Sequence, residues 1–256
     1  MFRLSKLALV VCAGAVTAIP TANAADIPPP IPPIVFKGWY LRGDIGYSNQ
    51  QVDSLFNALY ATTLSVDNQF KEFTGAPFLD FGIGYRWNSW LRFDITGEYR
   101  SKSEFNGADV YVPAGGPPSL PDTYFGKKSE WLALANMYID LGTWHGITPF
   151  VGGGLGAANV RFGAFSDIGI GVGGTPAIAY AGAHDEWNFA WALYAGLGVE
   201  VTDAFTVEVA YRYLDLGDGE TGDLIASDGT NTINNPMVFN DITSHDIRLG
   251  FRYAFW

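Results

Sequence analysis

The sequence predicts an all-β fold, an eight-stranded antiparallel up-and-down barrel that crosses a membrane. Three observations predict it. Eight segments alternate with a period of two, with arginines and carboxylates on one face and aromatic or aliphatic residues on the other. The connections between them are alternately long and short. Beyond the N-terminus, no apolar run is long enough for a transmembrane helix. One such strand could lie half-buried in a soluble protein. Eight of them put the greasy face against lipid, because the charged face already fills an interior.

The elements follow in order. Residues 1–24 read as a secretory signal peptide. Arg3 and Lys6 supply its charge, Leu7 to Ala18 its apolar core, and Ala22-Asn23-Ala24 its cleavage site. The single cysteine, Cys12, falls inside it behind the bulky Val11, so the mature chain from Ala25 has no disulfide to staple it. Cleavage removes two bases from a chain with 15 basic and 26 acidic residues, so the net charge moves from −11 to −13. That charge argues against nucleic acid as a partner. Residues 25–36 form a periplasmic tail in which Pro28, Pro29, Pro30, Pro32 and Pro33 impose an extended spacer. The barrel domain takes residues 37–256.

The first strand is read at Trp39–Tyr47, with Leu41, Ile45 and Tyr47 outward and Arg42 and Asp44 inward. The second, Gly75–Trp87, sends Asp80 and Arg86 inward, and the third, Trp90–Arg100, sends Arg92, Asp94, Glu98 and Arg100 inward. The fourth, Ser129–Leu141, places Glu130, Asn136 and Asp140 inside and Trp131, Met137 and Ile139 outside. The fifth, Thr148–Val160, contains the run Gly152-Gly153-Gly154, read either as room for a solute or as a bend for barrel curvature. The sixth, Trp187–Val201, turns Tyr194 and Glu200 inward, and the seventh, Phe205–Leu214, turns Glu208 and Arg212 inward. In the eighth, at the C-terminus, Ile247, Leu249, Phe251, Tyr253 and Phe255 share one face, and Asp246, Arg248, Gly250 and Arg252 the other.

The long connections are Ser48–Thr74, Ser101–Lys128, Gly163–Glu186 and Asp215–Thr243. The short ones are Asn88-Ser89, Gly142–Ile147 and Thr202–Ala204. Long extracellular loops and short periplasmic turns characterise barrels of the bacterial outer membrane, which sets the expected location. Trp39, Trp87, Trp90, Trp131 and Trp187 lie near the ends of these strands, where amphipathic rings occupy the headgroup layer. A soluble lipocalin-type barrel would bury the apolar face and strand the arginines differently. Reversing the register in lipid would cost roughly 2–4 kcal/mol for each arginine near the midplane.

The predicted lumen holds Arg42, Arg86, Arg92, Arg100, Arg212, Arg248 and Arg252 against Asp44, Asp80, Asp94, Glu98, Glu130, Asp140, Glu200, Glu208 and Asp246. Every base in it is arginine, whose planar fork suits paired bonds to carboxylates. Eight strands enclose just enough room for side chains to fill. Two readings follow: a salt-bridged plug, or a narrow polar channel without strong ion selectivity. The loop after the seventh strand carries Asp218, Glu220, Asp223, Asp228 and Asp241 without a base, read as a solvated acidic loop rather than a cation loop, since the spacing lacks the full EF-hand pattern. No metal or cofactor is expected, and no catalysis. Ser244, His245 and Asp246 are sequence neighbours whose side chains alternate across a strand and cannot form a relay.

The opening Gly38-Trp39-Tyr40-Leu41-Arg42-Gly43-Asp44-Ile45-Gly46-Tyr47 and the terminal Arg248-Leu249-Gly250-Phe251-Arg252-Tyr253-Ala254-Phe255 resemble a known family. So do the signal peptide, the proline-rich tail, and the segments Pro149 to Gly156 and Tyr211 to Gly217. The family is that of the porin-family or opacity-type eight-stranded outer-membrane proteins of alphaproteobacteria, relatives of the OmpA transmembrane barrel. The resemblance covers essentially the whole mature chain. It implies an assembly signal in the last strand, carried by Arg248, Gly250, Tyr253 and Phe255 and read by the barrel assembly machinery. Trp256 departs from it by following the terminal aromatic. The functions expected are a structural envelope role with a plugged lumen, a low-conductance porin, or surface binding of haem or a host receptor through the loops. The partners expected are outer-membrane lipid and lipopolysaccharide, the assembly machinery, and a host or environmental ligand at the loops.

Overall fold

The computed structural model describes residues 38–114, 116, 118–170, 176–229 and 233–255. The signal peptide, the proline-rich tail and Trp256 lie outside the described residues. The strands are β1 (Gly38–Phe56), β2 (Thr63–Phe73), β3 (Ala76–Arg86), β4 (Leu91–Pro113), β5 (Asp122–Asp140), β6 (Ile147–Ile170), β7 (Pro176–Ala181), β8 (His184–Glu200), β9 (Phe205–Asp215), β10 (Gly219–Glu220), β11 (Leu224–Ala226) and β12 (Val238–Phe255). Among the described residues, one 3-10 turn covers Ala58–Thr62.

Eight of these strands close a ring. β1 pairs with β3, β3 with β4, β4 with β5, β5 with β6, β6 with β8, β8 with β9, β9 with β12, and β12 again with β1, all antiparallel. These are the eight predicted strands. Closure leaves no edge in the membrane, where an unpaired backbone group has no water to bond. The expected faces hold: Leu41, Ile45, Phe81, Ile95, Leu193, Val209 and Ile247 are exposed on the outside, while Arg42, Asp80, Arg92, Glu130, Arg212 and Asp246 are buried inside.

The predicted long loops are largely strand. β4 runs thirteen residues past Arg100 to Pro113, and β5 starts at Asp122 rather than near Ser129. β2 continues the wall above β3 by pairing with β4, and β7 and β11 extend it beyond β6. The physical reason is an inversion of polarity. Along β4 the inward positions read Arg92, Asp94, Thr96, Glu98 and Arg100, then Ser103, Phe105 and Gly107. The outward ones read Phe93, Ile95 and Tyr99, then Lys102 and Glu104. A register shift between Arg100 and Ser103 moves the inward phase from even to odd numbers, and a second between Gly126 and Lys128 opposes Gly163 and Ala164 on β6 to Lys127. Below these bulges the barrel is apolar outside. Above them the interior is largely apolar and the outer face mixes charged residues with exposed Phe125 and Tyr180, and a reading tuned to the lipid-facing pattern stops there.

Charged lumen and aromatic head as the candidate functional site

The lumen is built by strand parity. From Trp39 to Tyr47, β1 covers nine residues, the length a tilted strand needs to cross the hydrocarbon. Trp39, Tyr85, Trp87 and Trp90 gather at one end of that span, with the Trp39 and Tyr85 rings 5.4 Å apart. Tyr99 and Trp131, 4.7 Å apart, mark the other end, and Asn159 is flanked in register by Trp131 and Trp187. All five predicted tryptophans are exposed on the outer face. Trp187 lies three residues from the start of β8, but Trp131 is in the middle of β5, which continues past it.

Between these two girdles, eight cations meet eight carboxylates. Arg42 bridges Asp44 at 2.8 Å and Asp94 at 2.7 Å. Arg86 and Arg92 both hold Asp140, at 3.2 and 3.0 Å. Arg92 and Arg252 converge on Glu208, at 3.2 and 2.7 Å. Arg248 joins Asp44 and Asp80, at 3.3 and 3.0 Å. Arg212 grips Glu98 with two bonds, Nη1 to Oε2 at 2.8 Å and Nη2 to Oε1 at 2.7 Å, while its Nε donates to Asp246 at 2.8 Å. Arg100 reaches Asp246 at 2.6 Å and Glu98 at 3.4 Å.

Two members differ from the sequence reading. Glu200 has the inward parity but is the last residue of β8; it is exposed and makes no ion pair among the described residues. Lys128 takes the place left in the balance. It is buried, donates to Glu130 and Gln50, and lies 4.5 Å from the Phe73 ring centroid. The lumen bases are therefore not all arginine. Its parity with Glu130, two residues on, is the signal that would have found it.

Polar and aromatic side chains fill the gaps: Asn136 and Tyr194, read as inward from the sequence, and Tyr138 and Phe78, which the sequence reading left unassigned. Arg42 donates to the Tyr138 hydroxyl at 2.8 Å, Asn136 donates to Asp94 at 2.8 Å, and Tyr194 donates to Asn136 at 2.9 Å. Phe78 sits with Arg100, Arg212 and Arg248 at 5.1, 5.0 and 5.8 Å from its ring. Such contacts let a ring occupy a charged interior, since its face carries partial negative charge. In the run Gly152-Gly153-Gly154, two glycines lie against lumen side chains. A Cβ on Gly152 would lie 2.5 Å from the Tyr138 ring, and one on Gly154 would lie 2.1 Å from the Asn136 amide oxygen. These two glycines make room for lumen side chains.

Above Lys128 the interior turns aromatic. Phe239 stacks on Phe162 at 4.2 Å and meets Phe105 edge-on at 4.8 Å, with Phe73 and Phe165 each at 6.0 Å. Val160, Leu214, Leu216 and Ile242 close around them with no exposed surface. Higher still, buried Asp109 accepts from the hydroxyls of Tyr60 and Tyr124. Asp122 is its cross-strand neighbour and Asp167 is that of Tyr124. Burial first, then the neighbouring carboxylates, pushes Asp167 up to about 7 and Asp122 up to about 6. No group of three or more histidine, cysteine or acidic side chains is arranged to hold a metal among the described residues. Glu220 pairs with His184 at 2.9 Å, Asp218 accepts from the Asp241 backbone, and Asp223 accepts from that of Asn235. Ser244 and Asp246 face inward, 2.6 Å apart, whereas His245 faces outward to the Tyr211 hydroxyl at 2.6 Å. Of the residues implied as an assembly signal, Arg248 and Gly250 are inward, and Tyr253 and Phe255 outward.

Comparisons with known proteins agree with this architecture. The family model described as the outer membrane protein beta-barrel domain matches residues 8–255. An uncharacterised protein of Brucella suis is 30% identical over the full length of both chains. A protein of Rickettsia prowazekii, provisionally named an adhesin, is 25% identical over 84% of this chain and 87% of its own. Among solved structures, Neisserial surface protein A aligns with a TM-score of 0.48 and 15% identity, over 86% of this chain and 99% of its own. The chain belongs to the outer membrane protein beta-barrel family, and its place is the bacterial outer membrane.

Proposed function

We propose that this protein is a non-conducting outer-membrane anchor that carries a rigid β-sheet head into the extracellular space. The observation that carries the reading is the filled interior. The eight lumen cations are matched by eight carboxylates, and the guanidinium groups of Arg92, Arg100, Arg212 and Arg248 are almost fully buried. An ion entering would have to break these pairs and then cross the aromatic cluster around Phe239. Surface contact with a host or environmental ligand through the head is supported by the relative provisionally named an adhesin. The membrane-facing partners are outer-leaflet lipid and lipopolysaccharide. The last strand, with Arg248, Gly250, Tyr253 and Phe255, supports recognition by the assembly machinery.

Planar-bilayer conductance tests the reading. The refolded chain, shown to be a barrel by heat-modifiable migration, is expected to be electrically silent. Discrete, reproducible openings would replace the anchor with a porin and make the lumen arginines its selectivity residues.

A further inference from the structure

Among the described residues only three lysine or arginine side chains are exposed: Lys102, Lys127 and Arg161. The other cations belong to the lumen, except half-buried Lys71, which donates to the Asp53 carbonyl. On a chain this acidic, three independent surface bases would be scattered. These lie side by side on β4, β5 and β6, in a register that opposes Lys127 to Glu104 and Arg161 to Ser129. Paired strands run about 4.8 Å apart, so the three cover roughly 10 Å of wall.

Their height is also common. Lys102 follows Tyr99 by three residues, Lys127 precedes Trp131 by four, and Arg161 follows Asn159, the register partner of Trp131 and Trp187, by two. At about 3.3 Å per residue on tilted strands, that is roughly 5–10 Å beyond the girdle. The polar layer of a bilayer begins there. Beside Lys127 a groove of about 390 Å³ carries the exposed rings of Phe125 and Tyr180 together with Asn106 and Ser166. Rings beside amide and hydroxyl groups suit a sugar.

We propose that this band binds the phosphorylated sugar headgroup of an outer-leaflet glycolipid. Lys102, Lys127 and Arg161 take the phosphates, and the groove takes a sugar ring. The inference rests on the membrane placement used above and not on the silent lumen. Two acids face the band: Glu104 pairs with Lys127 at 3.0 Å and Asp185 with Arg161 at 3.4 Å. Both pairs are more than half exposed or nearly so, and exposed pairs are weak. A multiply charged phosphate displaces them. Lys102 makes no ion pair among the described residues.

The test counts bound lipid by native mass spectrometry. Refolded chain, verified by heat-modifiable migration, is held in micelles doped with bisphosphorylated lipid A or its dephosphorylated form. Wild type is expected to retain the phosphorylated form about tenfold or more over the other, since each base near the surface contributes to phosphate attraction. The variant K102Q/K127Q/R161Q is expected to lose that preference, and E104Q/D185N to increase it. All five positions are exposed, so the fold is unaffected. Equal retention of both lipid forms by wild type, or an undiminished preference in the triple variant, overturns the proposal. So does capture of soluble heparin by the band with no preference between the two lipids.

Discussion

Replacing Arg212 by methionine removes the most fully bonded cation of the lumen. Its guanidinium has no exposed surface, binds Glu98 through two bonds and Asp246 through a third. After Arg212→Met both carboxylates remain buried and share Arg100, which lies 2.6 Å from Asp246 but 3.4 Å from Glu98. Stranding a buried partner in this way costs about 3–5 kcal/mol. With a urea slope of about 2 kcal/mol per molar, a cost of about 4 kcal/mol lowers the unfolding midpoint by about 2 M. The assay is reversible urea unfolding in bilayers, followed by tryptophan fluorescence. The reasoning also requires rescue: adding Glu98→Gln alone leaves seven lumen cations facing seven carboxylates, with Asp246 still held by Arg100 at 2.6 Å, and recovers most of the loss. A shift below about 0.5 M for the single variant, or an Arg212→Met/Glu98→Gln variant no better than it, refutes the view that the lumen pairs are individually indispensable and jointly replaceable.

Leu249→Arg, on the lipid face beside Ile45, is expected to cost about 2–4 kcal/mol in membrane stability, whereas Arg92→Gln leaves insertion intact; equal insertion defects in a vesicle-folding assay would contradict the register. Phe239→Ala opens the aromatic cluster and costs about 3–5 kcal/mol, read as faster proteolysis of the head with the barrel unchanged on gels. Asp167 and Asp122 have folded-state values near 7 and 6, above the unfolded carboxylate value of about 4, so the folded head takes up protons between these limits. The contribution of these two groups to head stability is therefore fully present below about pH 4 and is lost as pH rises through 6 and 7. Protection of β5 and β6 against hydrogen exchange, taken relative to the intrinsic rate at each pH, should be greater at pH 5.5 than at pH 8, and Asp167→Asn should flatten that difference; an unchanged pH dependence in the variant would discard the assignment.

Within the membrane the barrel was legible because lipid imposes one rule on every strand. Leu41, Phe93, Leu193 and Val209 must face out, and the arginines two by two must face in, so parity alone assigned the faces. Above the girdle that rule no longer applies. At Ser101 and Lys102 the phase slips by one and the polarity reverses, so Phe105, inward and buried, reads in the sequence as part of a loop. Lys128 escaped for the same reason, since it sits where the charged interior gives way to the aromatic one. Glu200 shows the opposite limit. Its parity is right, but parity does not say where the wall ends. The glycine pair Gly152 and Gly154 could not be interpreted from β6 alone, because the groups that need the space, Tyr138 and Asn136, come from β5.

The same strands that hold the membrane also build the head, and two bulges, not a flexible tether, join the two storeys. A cell pulled by anything gripping the head therefore loads the ladders of β4, β5 and β6 along their length, in shear. Many backbone hydrogen bonds then resist together, where a peeling geometry would break them one at a time. Tension on the head is delivered to the bilayer without a compliant link, which makes the molecule a stiff rivet through the cell wall's outermost layer.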